Sequence, residues 1–240
     1  MNKVLCISVV LASTIVMTSC SKTEYSVNSL TDSIEAVNVS SLTPEERSST
    51  NEKEDYNARL QGAKIVSHDG KMSSDFLIRS LEDLESKSDC IIIGTVIEKE
   101  QFRDEDPELV EMGIQKGTTT SVVRVEKAYL GNDVREGDLI KIEEFCYMYD
   151  DDNGTTILST LGPYYPAKKD STYILFLSRF EGGHALYTPT SRWYGKYPCN
   201  DQIIQKARDN EEIDSTEIEY SKSVSVDQSL VRDIYIKYGN

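Results

Sequence analysis

The sequence predicts a mainly β domain with flanking helices, and three stretches carry that prediction. Cys90–Ile97 is an almost wholly apolar run rich in β-branched residues, and Thr172–Phe180 is a second such run. Between them, Thr118–Leu130 alternates apolar and polar side chains, which is typical of a strand with one buried face. Gly94 interrupts the first run, and a glycine inside a strand often marks a β-bulge or a sharp bend at a barrel corner. We therefore expect a β-barrel inside a domain that covers residues 73–240.

The helix predicted before the first strand starts at a serine. Ser73 or Ser74 can cap it, and Asp75 in its first turn suits the helix dipole. Leucines then recur at helical spacing, at positions 77, 81 and 84. This pattern predicts an amphipathic helix that ends near Lys87.

The remaining elements follow from turn residues and apolar runs. The predicted segments are a loop over Glu98–Lys116, a strand over Leu139–Tyr149, a hairpin tip over Asp150–Gly154, a returning strand over Thr155–Thr160, a short strand over His184–Thr188, an aromatic segment over Arg192–Cys199 and an exposed acidic segment over Asp209–Lys222. Asn153-Gly154 tolerates the positive φ angles of a type I′ turn, which favours a hairpin. Asp227 can cap a last helix that runs to about Tyr238.

Residues 1–19 have the layout of a secretory signal. Lys3 precedes the apolar run Val4–Met17, and small residues then lead to Cys20. The segment Met17-Thr18-Ser19-Cys20 resembles a bacterial lipobox, which implies cleavage before Cys20 and attachment of fatty acyl chains at that residue. Two such chains hold a protein stably at a membrane. The alternatives are an ordinary secretory signal with a chance cysteine, and an uncleaved spanning helix, which would need ~20 apolar residues.

Residues 20–72 are predicted to form a disordered tether between the lipid and the domain. The stretch is rich in Ser, Thr, Asn and Glu, and its apolar residues are scattered. Such a composition cannot build a core. As a flexible coil it would span roughly 40 Å, which suits a domain held away from a membrane surface. The expected location is therefore the extracytoplasmic face of the cell membrane, through a lipid anchor.

The net charge disfavours some classes of binding partner, and the cysteine content bears on whether disulfides form. The formal net charge of −15 disfavours binding to nucleic acid and to anionic lipid headgroups. Outside the signal and Cys20, the cysteines are Cys90, Cys146 and Cys199. Cys146 and Cys199 are the better candidates for a disulfide in an oxidising compartment, because Cys90 opens an apolar strand. Other pairings and three free thiols stay open.

Three stretches carry a resemblance to a known group of proteins. They are Ser88–Val96, Val123–Gly131 and Thr172–Leu177. Their order resembles that of bacterial surface lipoproteins and secreted domains similar to the OB barrel of the netrin-module and metalloproteinase-inhibitor type. The resemblance covers about residues 76–199 and implies a five-stranded, partly open Greek-key barrel. It does not imply inhibition, because those inhibitors use a free N-terminal cysteine, whereas Cys20 would carry lipid.

Few residues suggest catalysis. The two histidines, His68 and His184, have no motif partner. The sequence contains no nucleophile elbow, phosphate-binding loop, dinucleotide fingerprint or zinc-protease motif. We therefore predict a protein that is not an enzyme and that takes no cofactor and no metal. An enzyme that uses His184 and nearby carboxylates is the alternative.

Aromatic residues in the second half of the chain are the best functional lead. The candidate ligand platform is Tyr147, Tyr149, Tyr164, Tyr165, Tyr187, Trp193, Tyr194 and Tyr197. Barrels of the OB type bind oligosaccharides and oligonucleotides on one face and its loops. Because the charge disfavours nucleic acid, we expect a glycan, a cell-wall polymer or a peptide. Two alternatives are that these rings pack the barrel, and that the loop Gly162–Asp170 contacts a protein partner in an interaction or inhibitory module.

Overall fold

A computed structural model describes residues 55–68, 77–103, 117–162, 164–180, 185–191, 194–220 and 227–239 of the chain. The strands are β1 (Lys64–His68), β2 (Cys90–Arg103), β3 (Gly117–Leu130), β4 (Leu139–Glu144), β5 (Cys146–Asp150), β6 (Thr156–Leu161), β7 (Thr172–Arg179), β8 (Tyr187–Pro189) and β9 (Lys196–Pro198). The helices are α1 (Tyr56–Gly62), α2 (Leu81–Ser86), α3 (Asp201–Asp209) and α4 (Gln228–Tyr238).

Five of the strands close into a barrel in the order β2-β3-β4-β8-β7, with β7 pairing back onto β2. The β4–β8 pair is parallel and the other pairs are antiparallel. This confirms the prediction of a mainly β, OB-type Greek-key barrel with flanking helices. The shortest strand pairing in the barrel is between β4 and β8, which is formed by a single residue pair, Ile142 with Tyr187.

The pairing of β2 with β3 changes register where the sequence places a glycine. Gly94 pairs with Val125 of β3 and with Tyr173 of β7, so both its neighbours approach it closely. The β2–β3 register shifts between Ile93 and Gly94. A side chain here would come within 3.1 Å of the Arg124 carbonyl oxygen. The structure therefore shows at Gly94 the irregular pairing that a glycine inside a strand often marks. β2 also continues to Arg103, so the predicted loop over Glu98–Lys116 begins too early; residues 104–116 lie outside the described part.

The predicted strand Leu139–Tyr149 is two strands in two sheets. A bend at Phe145 ends β4 in the barrel and starts β5 in a small sheet ordered β1-β6-β5. β5 and β6 form the predicted hairpin, but Gly154 alone in its tip has a positive φ, of 74°, so the turn is not type I′. The Asp151 carboxylate instead holds the tip by accepting from the Thr155 amide at 2.8 Å.

Capping residues set the helix boundaries. The Ser80 hydroxyl accepts from the Asp83 amide at 3.1 Å, so the cap of α2 lies six or seven residues after the predicted one, and Leu77 precedes the helix. Ser73 and Ser74 lie outside the described residues. α4 is confirmed, because Asp227 accepts from the Ser229 amide at 2.9 Å. α3, which starts after Asn200, was not predicted.

The core has two parts, one inside the barrel and one under the helices. The second part contains Ile213, Ile218 and Tyr220, all of them buried. The prediction that Asp209–Lys222 is exposed is therefore wrong for these residues, because the segment folds back over α3 and α4 and contributes its apolar side chains to their packing.

The predicted disordered tether over residues 20–72 is wrong for residues 55–68. These residues form α1 and β1, and Leu60 is 2% exposed in the core under the helices. β1 pairs in parallel with β6 along its whole length. The domain therefore extends N-terminally past the predicted boundary at residue 73. Residues 20–54 and 69–72 lie outside the described part, and so do the predicted signal and Cys20.

Candidate functional site

Two tyrosines on β5 form a pair of nearly parallel rings. Tyr147 and Tyr149 are half-buried, whereas Cys146 and Met148 between and beside them are buried, as strand alternation requires. The ring centroids lie 6.3 Å apart and the ring planes differ by 17°. Both rings therefore lie on one side of the strand, and together they form a small aromatic surface.

This tyrosine pair lies at the end of the barrel where β2 turns back into β3. A Cβ at Gly117 would come within 2.7 Å of Cδ2 of Tyr147, so the ring packs directly on the start of β3. The Thr119 hydroxyl donates to the Cys146 carbonyl at 2.8 Å and ties β3 to β5. Nearby, the Phe145 and Phe180 rings meet edge to face at 5.5 Å. The β7–β8 connection, which contains Phe180, thus reaches the same bend.

A buried ion pair lies at the bend at Phe145, where the chain leaves the barrel strand β4 and enters β5 of the small sheet. The side chains of Lys99 and Glu144 are 2% and 1% exposed. Glu144 accepts hydrogen bonds from Lys99, from the Ser121 hydroxyl, from the Tyr164 hydroxyl at 2.5 Å and from the Ala167 amide at 2.7 Å. A buried carboxylate is tolerable only with such partners. The pair therefore holds the last residue of β4 in one position.

Both partners of the Tyr164–Glu144 bond keep their ordinary protonation states. Burial raises the pKa of Glu144, but the Lys99 ammonium and the hydrogen-bond donors lower it by more, so the pKa lies below its usual value. Burial and the Glu144 charge raise the pKa of Tyr164 well above its usual value. Glu144 is thus a carboxylate acceptor and Tyr164 a hydroxyl donor at neutral pH.

A second buried carboxylate, Glu219, is linked to Tyr164 through Lys196, whose ammonium lies 5.8 Å from the Tyr164 ring centroid. It pairs with Lys196 at 2.6 Å and with the half-exposed Lys168 at 3.0 Å, and the Tyr173 hydroxyl donates to it at 3.1 Å. Burial raises its pKa, but Lys196 and Lys168 lower it by more. Its φ of 60° is unusual for a residue with a side chain. Because its partners are drawn from three segments, this cluster joins the 211–220 segment to the barrel.

The predicted platform does not form one surface. Tyr164, Tyr187 and Tyr197 are buried at 4%, 3% and 1% exposure, so assigning them to a platform is wrong. Tyr197 packs edge to face with Phe176 in the core. Large rings fill space efficiently in cores, and the alternative that the rings pack the fold holds for these three. Tyr165 and Tyr194 are half-buried and pack against the core under the helices.

Tyr147 and Tyr149 are what remains of the predicted platform. Trp193 and His184 lie outside the described residues, as does the side chain of His68. Phe145 and Phe180 were missed. Phe145 is the single residue between β4 and β5, and no local pattern in the sequence marks it as the point where the chain changes sheet.

The predicted disulfide between Cys146 and Cys199 is absent, and Cys90, Cys146 and Cys199 are free thiols. Cys146 is buried on the core side of β5, whereas Cys199 follows β9 in a different sheet. Burial raises the pKa of Cys90 and of Cys146 to about 12 and that of Cys199 to about 11. These thiols are therefore protonated at neutral pH and unreactive.

The loop Gly162–Asp170 is packed onto the domain. Tyr164 and Ala167 bond to Glu144, as described above, and the Lys168 amide donates to the Tyr173 hydroxyl at 2.7 Å. Among the described residues of this loop, most of the polar contacts are made with other residues of the domain. The prediction that it contacts a protein partner therefore has no support from its geometry.

Comparisons of the chain with protein-family models, with curated proteins and with solved structures found no match. Among the residues that the structure describes, no group of three or more His, Cys, Asp or Glu side chains is placed to hold a metal ion. No helix in the same ranges has the length and the apolar character needed to cross a membrane.

Proposed function

We propose that the protein is a non-enzymatic binding module that takes a glycan or a cell-wall polymer on Tyr147 and Tyr149. The single observation that supports this is the near-parallel, half-exposed ring pair on β5. Ring faces give apolar contact area at low conformational cost, and the tyrosine hydroxyl adds a polar edge. Sugar rings present matching apolar faces and hydroxyl groups.

The position of the pair agrees with this proposal. Tyr147 packs on the start of β3, next to the β2–β3 connection, and Phe180 of the β7–β8 connection reaches the neighbouring bend. In OB barrels the equivalent two connections flank the surface that binds oligosaccharides and oligonucleotides. The net charge of −15 opposes polyanionic ligands, which favours a neutral or cationic polymer.

We further propose that the module is held at the outer face of a membrane by acylation of Cys20, as the lipobox resemblance implies. Two acyl chains would give stable attachment. Intact mass of the membrane-extracted protein tests this directly. We expect loss of residues 1–19 and addition of fatty acyl mass to the N-terminal peptide. Recovery of a chain that keeps those residues, from a cytosolic fraction, would contradict the anchor but not the binding site.

Substitution of the two tyrosines tests the binding site. We expect Tyr147→Ala and Tyr149→Ala each to weaken binding of a soluble cell-wall polysaccharide about tenfold, since an aromatic contact contributes about 1.5 kcal/mol. Isothermal titration calorimetry on the full-length chain measures the change. The Phe variants at both positions keep the rings and should lose much less affinity.

The control is Tyr194→Ala, which removes a half-buried tyrosine that lies outside the pair and packs against the core under the helices. It should leave polysaccharide affinity unchanged. Circular dichroism checks that each variant is folded. Retention of full affinity by the folded Tyr147→Ala/Tyr149→Ala double variant would exclude the pair as the binding surface. Binding of an extended peptide, with no binding of polysaccharide, would show that the ligand of the tyrosine pair is a peptide and not a glycan.

A further inference from the structure

Residues 55–68, which form α1 and β1 and are here called the latch, are an added layer at the edge of the domain. We propose that the latch opens locally while the barrel stays folded, and that its closure keeps the small sheet and its tyrosine pair in place. The link to ligand binding rests on the function proposed above, whereas the opening itself does not.

A few polar contacts hold the latch closed. The side-chain amide of Asn57 donates to the Lys169 carbonyl and accepts from the Lys169 amide, both at 2.9 Å. Arg59 pairs with Asp150 at 3.1 Å, at the end of β5. The Ser67 hydroxyl donates to the Gly162 carbonyl at 2.7 Å. Each of these bonds joins the latch to a residue that stays with the body of the domain.

The apolar contribution to closure comes from the buried Leu60 and from the partly buried Tyr56 and Ala63. Leu60 is the one fully buried apolar side chain among the latch residues whose side chains are described, while Ile65 is 53% exposed. Segments with few buried apolar contacts open at low free-energy cost. The latch is therefore the least firmly attached part of the small sheet.

Closure also buries the Tyr56 hydroxyl. The hydroxyl lies beside the Thr119 hydroxyl but makes no hydrogen bond of good geometry. The Tyr56 ring lies over the Lys99 ammonium, 5.2 Å from the ring centroid, so the ring covers the buried Lys99–Glu144 pair. Opening would return the hydroxyl to water, which favours the open state. The same movement would uncover the ion pair that fixes the bend at Phe145.

The latch is connected to the tyrosine pair through the sheet. β1 pairs with β6 and β6 pairs with β5, so loss of β1 leaves a two-stranded hairpin. Two-stranded hairpins are marginal on their own, so without β1 this hairpin depends on the packing of Met148 and Leu158 in the core and on the Thr119–Cys146 hydrogen bond. Opening should therefore loosen β5 and lower the affinity of Tyr147 and Tyr149 for ligand. Because the latch is the most N-terminal part of the described domain, a pull on an anchored Cys20 would act on it first.

Hydrogen exchange of the full-length chain, followed by mass spectrometry without ligand, tests local opening. We expect β1 amides to exchange faster than those of β7 in the barrel. Arg59→Ala should speed β1 exchange about threefold, since partly exposed ion pairs contribute little. Tyr56→Phe keeps the ring over Lys99 but removes the buried hydroxyl, so it should slow β1 exchange about tenfold. β7 exchange should stay unchanged in both variants.

The matched control is Arg124→Ala, which removes an exposed ion pair with Glu126 on the barrel and should not affect β1. A common exchange rate for β1 and β7 would overturn the proposal, as would unchanged or faster β1 exchange in Tyr56→Phe. If β1 exchange changes as expected but polysaccharide does not bind at Tyr147 and Tyr149, the proposed function is contradicted while local opening of the latch remains supported.

Discussion

Replacement of Lys99 with methionine is expected to lower the free energy of unfolding by about 3–5 kcal/mol at pH 7. This is the range for removing one partner of a buried ion pair, because the other charge is left without compensation. Lys99 and Glu144 form such a buried ion pair, because their side chains are 2% and 1% exposed. Methionine fills most of the space of the lysine stem, so the loss would come mainly from the charge.

The pH dependence of this deficit distinguishes charge from packing. In the natural protein the folded-state pKa of Glu144 lies below its usual value, so its contribution to stability is present above that value and is lost as the pH falls through the folded-state pKa. Without Lys99 the effect of burial dominates and the folded-state pKa rises above the usual value. The variant is then penalised increasingly as the pH rises, so the deficit should be larger at pH 7 than at pH 4.

Urea unfolding followed by circular dichroism at both pH values measures the deficit. Arg124→Met serves as the matched control, because Arg124 and its partner Glu126 are 50% and 40% exposed. Exposed pairs contribute about 0–1 kcal/mol, so this variant should change little at either pH. Equal deficits for Lys99→Met at pH 4 and pH 7 would show that packing, and not the ion pair, accounts for the loss.

The second large effect is expected for Gly195→Ala, which should lower the free energy of unfolding by about 3 kcal/mol. A Cβ at Gly195 would lie 2.9 Å from the Pro189 carbonyl carbon and closer still to the Phe176 oxygen and the Thr190 nitrogen. All three are backbone atoms, so no side chain can move aside. The Phe176 amide donates to the Gly195 carbonyl at 2.8 Å, and this bond would be strained or lost.

Thermal unfolding of Gly195→Ala and of a control, Gly62→Ala, measures this effect. Gly62 is the last residue of α1, and a Cβ there meets no atom within 4 Å. Alanine favours helix more than glycine does, so Gly62→Ala should leave stability unchanged or raise it by up to about 1 kcal/mol. A Gly195→Ala variant as stable as Gly62→Ala would mean that Gly195 does not lie against β7 as described.

The barrel was predictable because its strands have strong local signals. The centre of the run Thr172–Phe180, which is Tyr173–Leu177, is apolar and fully buried between β2 and the other partners of β7, so pattern and environment agree. α4 was predictable for the same reason, since Asp227 caps it and its apolar residues share one face. Register shifts, sheet changes and the β4–β8 pairing depend on contacts between distant residues, which no local pattern encodes.

The latch and the site show where local patterns fail. β1 is short and its sequence is only partly apolar, and it is stabilised by parallel pairing with β6, about 93 residues further along the chain. The concentration of aromatic residues in the sequence identified Tyr147 as a candidate ligand contact. It could not distinguish Tyr147 from the buried Tyr197, because both are tyrosines near strands. What separates them is packing: Tyr197 faces the core, whereas the bend at Phe145 turns Tyr147 outward.

The most direct test of the binding proposal is an NMR titration of full-length protein carrying ¹³C-labelled tyrosine with a soluble cell-wall polysaccharide. The ring resonances of Tyr147 and Tyr149 should shift together and saturate at the same polysaccharide concentration, while those of Tyr129 and Tyr165 stay in place. Saturable binding that leaves the Tyr147 and Tyr149 resonances unmoved would contradict the proposal that this ring pair is the ligand surface.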